Sequence, residues 1–253
     1  MDSPAAETRT LERGEMTLFE HLAELRRVLL QSILAVGVAT TAAWFLADRA
    51  LEALIGPALG PSERLVFLSP SGAFMLRVKT SIGLGLFLAA PIVVWRLWSF
   101  VVPGLLRKER RLLLPIVVSS LLLFYAGALF AHLVVVPMSM RFLLGFGSEL
   151  VQPMIEAEQY FQFVLRTLLA FGLVFQFPLV VAVLTYWDVM SPDFLRRYWR
   201  HGVVAVFVVS AVLTPPDVAS QLLMAAPVLL LYAASMVLAQ LIARSRSRAG
   251  QST

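Results

Sequence analysis

Two carboxylates stand where a membrane protein would meet a cation. Glu24 lies in His21-Leu22-Ala23-Glu24-Leu25-Arg26-Arg27 and Glu109 in Arg107-Lys108-Glu109-Arg110-Arg111, each just outside a long apolar run and among basic residues. Lys and Arg orient membrane spans, whereas Asp and Glu contribute little, so topology alone does not account for these acids. A carboxylate in this position can receive a guanidinium through two parallel charge-assisted hydrogen bonds, which makes the pair a candidate receptor for a cationic ligand arriving from the cytoplasm. A plainer reading stands beside it. Glu24 would favour a helix N-terminus and pair with Arg27 three residues on, and Glu109 would neutralise its basic neighbours.

A second set of polar residues falls at membrane depth. Gln176, in Phe175-Gln176-Phe177-Pro178, must find a hydrogen-bond partner, either by joining helices, by repairing the backbone group freed by Pro178, or by contacting a ligand. Thr214, Asp217 and Gln221 cluster around the turn Thr214-Pro215-Pro216-Asp217, where Asp217 is placed to cap the following helix. His132 is expected to be a satisfied residue of the bundle, and Arg77 and Lys79 to reach the interface by snorkelling. Cys is absent, which removes disulfides, thiol catalysis and thiolate metal sites.

The elements that hold these residues are membrane spans. With 59% hydrophobic and 15% charged residues in a chain of 253, and a mean hydropathy of +0.81, the composition exceeds what a soluble domain can bury. Six apolar segments are expected, near 28–47, 80–106, 112–140, 167–187, 202–216 and 218–243. The fold class that follows is an all-α integral membrane protein of six transmembrane helices, bent by prolines into a concave bundle, with helices five and six short or partly spanning. Pro91, Pro115, Pro137, Pro178 and Pro227 are the bending points. Residues 1–15 read as a mobile tail without the basic-then-apolar start of a cleavable signal, 16–243 as one membrane domain, and 244–253 as a basic tail.

Of the 21 Lys and Arg, 15 fall on one side of the alternating spans, 14 in the two tails and the 2–3 and 4–5 junctions and Arg96 in the half of the second segment nearer its junction. The positive-inside rule then puts both termini in the cytoplasm, with 48–72 and 146–160 outside as caps. The net charge of +5 comes from these interfacial clusters and gives no support to nucleic-acid binding. No phosphate-binding G-x-x-x-x-G-K-[ST] loop, H-E-x-x-H, G-x-S-x-G or paired membrane aspartate is present, which argues against a nucleotide-driven machine or an intramembrane hydrolase. No intramembrane acid or clear inverted repeat supports a solute transporter.

The ordered motifs resemble one family. They are His21-Leu22-Ala23-Glu24-Leu25-Arg26, Ala90-Pro91 with Trp95 and Trp98-Ser99-Phe100, Leu106-Arg107-Lys108-Glu109-Arg110-Arg111, Leu123-Phe124-Tyr125 with Gly127, Phe171-Gly172 with Phe175-Gln176-Phe177-Pro178, and Leu213-Thr214-Pro215-Pro216-Asp217. Over roughly residues 16–243 the chain resembles TatC, the multispanning subunit of the twin-arginine protein translocase. The resemblance implies a non-enzymatic receptor for twin-arginine signal peptides of folded cargo, working without a cofactor on the proton-motive force in a prokaryotic plasma membrane. It also implies a hetero-oligomer with TatA-like and TatB-like single-span partners. By position it assigns Glu24, Glu109, Arg26 and Phe100 to signal-peptide binding, Thr214 and Gln221 to partner docking, and Asp217 to a functionally sensitive turn. Gln176 stands where many relatives have Glu, which keeps a hydrogen-bonding group but removes ionisability.

Overall fold

The computed structural model describes residues 18–56, 59, 65–101, 113–145, 154–213 and 218–250. Helix α1, Leu18–Ala43, passes through a 3-10 turn at Trp44–Leu46 into α2, Ala47–Ile55. Leu29, Leu30, Ile33, Leu34 and Val38 on α1 are half or more exposed, a face suited to hydrocarbon because every backbone polar group is already paired within the helix. The other face packs along α3, Gly72–Val101. That approach is close: a Cβ at Gly85 would come within 2.6 Å of the Thr40 Cα, so only the smallest residue lets the two backbones meet.

Helix α3 starts where the Ser69-Pro70-Ser71-Gly72 signal places it, with Gly72 N–H donating to Ser69 O at 3.1 Å and Met75 N–H to Ser71 O at 2.9 Å. After it come α4, Leu113–Phe130, a π-helical turn at Ala131–Val135, and α5, Val136–Leu144. The π turn immediately precedes Pro137, whose missing N–H and ring interrupt the regular ladder there. Helix α6, Ala157–Val174, breaks at Phe175–Gln176 and resumes as α7, Phe177–Tyr186, with Pro178 in its first turn. Then follow α8, Pro192–Arg197, α9, Trp199–Leu213, and α10, Val218–Gly250. Of the five prolines expected to bend spans, Pro91 and Pro227 lie inside helices, Pro137 and Pro178 stand at breaks, and Pro115 sits in the first turn of α4, where no bend is required.

Among the described residues five helical runs are long and apolar enough to cross a membrane: His21–Ile55, Gly72–Phe100, Leu113–Leu144, Ala157–Tyr186 and Ser220–Ser245. The apolar helix Trp199–Val212 is shorter. At 15 residues, α9 is about 22 Å long against about 30 Å of hydrocarbon, as its sequence suggests. The expectation of a short sixth helix is corrected, because α10 runs 33 residues and its apolar part covers about 39 Å. The Pro215-Pro216 pair in the sequence disfavours continuing the helix that ends at Leu213 but sets no limit on the length of the one that starts at Val218.

The core is centred on α6, where Tyr160, Phe161, Val164, Leu168 and Phe171 pack against Ala128, Ala131, Val135, Val136 and Met140. A small second cluster of Val181, Leu195 and Ala239 ties α7, α8 and α10 together. One feature has no local signature in the sequence: β1, Leu65–Val66, and β2, Ile155–Glu156, form a parallel two-stranded pairing that joins the connections after α2 and after α5.

Candidate functional site

The start of α1 and the end of α3 meet, which brings Glu24, Arg26 and Phe100 to one end of the bundle. The His21 ring stacks on Phe100 with centroids 4.3 Å apart and planes 20° from parallel, fixing the first turn of α1 against α3. One turn further along α1, Glu24 is half-buried, and its Oε2 is enclosed with no hydrogen-bond partner among the described residues. Arg26 and Arg27 are exposed and neither forms an ion pair with Glu24 in the described structure. The local pairing of Glu24 with Arg27 is therefore not what occupies this carboxylate. An enclosed, unpaired carboxylate oxygen is costly, and a cation bringing its own N–H donors removes that cost. Glu109 lies outside the described residues, as do Thr214 and Asp217.

Gln176 is engaged in the bundle. Ser120 Oγ on α4 donates to Gln176 Oε1 at 2.6 Å, Gln176 Nε2 returns a bond to Ser120 O at 3.0 Å, and the same nitrogen reaches Gly172 O at 3.4 Å. Both ends of the amide thus hold α4 to the α6–α7 break. The approach is permitted by Gly127 and Gly172, since a Cβ at Gly127 would lie 2.5 Å from Phe171 O and one at Gly172 would strike Phe124. Gln176 also lines a cleft of about 570 Å³ with Phe177, Gly202, Val206 and Tyr232. Gln221, half-buried on α10, donates from Nε2 to Phe207 O at 3.0 Å and so joins α10 to α9.

Three residues behave differently from the sequence reading. Arg77 does not simply snorkel: its guanidinium pairs with Asp48 at 3.3 Å and lies 5.0 Å from the Trp44 ring centroid. Lys79 Nζ pairs with Glu158 Oε1 at 2.5 Å, linking α3 to α6. These ties, with Tyr160 O–H donating to Leu54 O at 2.9 Å, brace the end of the bundle opposite Glu24. His132 sits in the π turn beside a cavity of about 480 Å³, hydrogen-bonded to the backbone of Ala53 while its Nδ1 lacks a partner among the described residues, so it is the bundle residue expected but only partly satisfied. The sequence also gave no reason to single out His21. Its significance is its stack with Phe100, a contact between residues far apart in the chain that no spacing rule reveals. Among the described residues no group of three or more His, Asp or Glu is arranged to hold a metal.

The family described as Sec-independent protein translocase protein (TatC) matches residues 20–227. A protein of that name from Carboxydothermus hydrogenoformans is 42% identical over 233 residues, covering 92% of this chain and 96% of its own. The Aquifex aeolicus TatC is 37% identical over 235 residues, covering 91% of this chain and 98% of its own. A crystal structure described as the twin arginine translocase receptor TatC superimposes with a TM-score of 0.81 at 38% identity, over 88% of this chain and 99% of that one.

Proposed function

The chain belongs to the TatC family, and from that premise we propose that Glu24 and Glu109 together receive the paired arginines of a twin-arginine signal peptide. It is a multi-pass membrane protein and the core receptor subunit of the twin-arginine translocase, not an enzyme. The observation that carries the site is the enclosed Oε2 of Glu24, which has no partner among the described residues and lies one helical turn from the His21–Phe100 stack. A guanidinium supplies what this oxygen lacks, a charge and a directed N–H, and its planar fork can engage both carboxylate oxygens. A lysine supplies the charge without the fork. Arg26, exposed two residues from Glu24, repels a misplaced cation and helps set the register of the incoming pair.

In this reading both termini face the cytoplasm and α9 is a sixth span across a locally thinned bilayer, supported by the 15 to 6 asymmetry of basic residues and by the shortness of α9. The break at Gln176, the π turn before Pro137 and the clefts beside them support a concave bundle. Residues 1–15 and 244–253 serve as cytoplasmic tails. Thr214 and Gln221 receive TatA-like and TatB-like partner helices, Asp217 is a functionally sensitive acid of the same stretch, and the proton-motive force drives cargo across a prokaryotic plasma membrane. Because Gln176 has no ionisable proton, the coupling of that force does not pass through this side chain.

The test is photo-crosslinking in native membranes with a paired-arginine signal peptide and its paired-lysine control. Selective labelling at the α1–α3 junction is expected with the arginine peptide. Equal labelling by both would overturn the arginine-receptor assignment.

A further inference from the structure

Helices α8, α9 and α10 enclose a cleft of about 410 Å³ lined by Arg196, Trp199, Val203, Leu229, Tyr232, Ala233 and Met236. Its chemistry is divided. Arg196 and Trp199 stand at the junction of α8 with α9, while the remaining wall is apolar apart from the Tyr232 hydroxyl, and that hydroxyl is already donated to Leu195 O at 3.0 Å. The same bond, together with the burial of Leu195 against Val181 and Ala239, fixes the backbone next to Arg196 to α10. Arg200 lies 5.9 Å from the ring centroid of Trp199, which lines the cleft, and itself lines a separate cleft of about 430 Å³ with His201, Val204 and Ala205. Neither Arg196 nor Arg200 has a carboxylate in ion-pair range among the described residues.

We propose that this cleft binds one anionic phospholipid, its phosphate between Arg196 and Arg200 beside Trp199, and one acyl chain along Val203, Leu229, Ala233 and Met236. Two arginines without acidic partners supply charge complementarity to a phosphodiester, and a basic cleft between membrane helices is the kind of surface that takes such headgroups. Trp199 belongs at the headgroup level, where an indole keeps its ring in the apolar region and its N–H near polar groups. The shortness of α9 supplies a place for the lipid. At about 22 Å, α9 is shorter than about 30 Å of hydrocarbon, so the bilayer thins beside it, the phosphate meets the arginines at the start of α9, and the acyl chain fills the groove alongside the longer α10. The lipid thereby stabilises the α8–α9–α10 end of the bundle and acts independently of Glu24 and Phe100, which lie on α1 and α3.

The experiment reads the fluorescence of Trp199 in a variant with Trp44, Trp95, Trp98 and Trp187 replaced by Phe, reconstituted in vesicles containing either chain-brominated phosphatidylglycerol or chain-brominated phosphatidylcholine. Both leaflets contain the probe lipid, so the result does not depend on which way the protein faces. Each arginine should enrich the anionic lipid about fivefold at low salt, and phosphatidylglycerol should quench Trp199 at least about twice as strongly as phosphatidylcholine. Arg196→Gln with Arg200→Gln should equalise the two lipids, and Arg196→Lys with Arg200→Lys should keep the preference, showing that charge and not a folding defect is read. Native mass spectrometry of the protein with its tryptophans intact should retain phosphatidylglycerol over phosphatidylcholine in the same order. Equal quenching by the two lipids, or an undiminished preference in the Gln variant, would overturn the site. So would full reversal by excess inorganic phosphate, since that would make it a site for a free anion and not for a lipid.

Discussion

Ser120 and Gln176 exchange hydrogen bonds in both directions across α4 and the α6–α7 break, Ser120 Oγ donating at 2.6 Å and Gln176 Nε2 returning to Ser120 O at 3.0 Å. This pairing gives Gln176 a structural role that requires a donor at Nε2. Replacement by Leu removes both bonds and leaves the Ser120 hydroxyl without its acceptor. The expected cost is about 1 to 2 kcal/mol, read as a lower unfolding temperature in detergent with signal-peptide crosslinking retained. Unchanged thermal stability would show that the pairing contributes nothing net. Gln176→Glu replaces the donor with a carboxylate oxygen facing Ser120 O, so it should be less stable than the parent protein at neutral pH and recover as the pH falls.

Glu24→Gln and Glu109→Gln should each weaken binding of a paired-arginine peptide by roughly 10- to 150-fold, the loss of one charge-assisted bond of about 1.5 to 3 kcal/mol. Isothermal titration with detergent-solubilised protein measures this. The double substitution should lose more than either single one if the acids hold separate arginines. Membrane insertion and partner co-purification should persist in both. Near-native affinity in a well-inserted double variant would return the two carboxylates to local charge neutralisation.

Lys79 and Glu158 link α3 to α6 at the end opposite the candidate receptor. A double-mutant cycle with Lys79→Met and Glu158→Gln should give a coupling of about 1 kcal/mol, larger in detergent at low salt than at high salt. Charge reversal at both positions should recover part of the loss. A coupling indistinguishable from zero would make this a crystallographic-style surface pair of no energetic weight.

Gln221 already donates to Phe207 O, so a partner helix must either use its remaining carbonyl oxygen or displace that bond. Thr214→Val with Gln221→Leu should lower recovery of a TatA-like or TatB-like partner in co-purification, with signal-peptide crosslinking largely intact. Full recovery of the partner would remove these residues from the docking surface.

Cysteine introduced at exposed Ser69 should react with an impermeant maleimide applied from outside intact cells, whereas cysteine at exposed Asp193 should react only after lysis. No native Cys complicates the assay. The opposite pattern would invert the assigned orientation.

The sequence alone determined that this chain is a multispanning membrane protein, where its apolar runs lie, and that one helix near 202–216 is short, but it missed the helix starts at Leu18 and Ala157, which precede the apolar runs expected from 28 and 167. Those properties follow from local chemistry. Apolar run length is set against bilayer thickness, and turn residues such as Ser69-Pro70-Ser71-Gly72 act on their own neighbours. It overstated the shortening of the last helix, because a Pro-Pro turn ends the helix before it but places no limit on the one after it.

Only the tertiary structure decided which polar groups are already spent and which remain open. Gln176, within an apolar span, and Glu24, just outside one, each need a partner that the sequence does not name, yet Ser120 satisfies the first and no described residue satisfies the second. Arg77 and Lys79 likewise find Asp48 and Glu158, which lie 29 and 79 residues away in the chain. The physical reason is that hydrogen bonds and ion pairs act over about 3 to 4 Å, a separation set by how helices pack and not by their order along the chain. Burial can be estimated from composition and period, but the partner of a buried group is a property of the folded bundle.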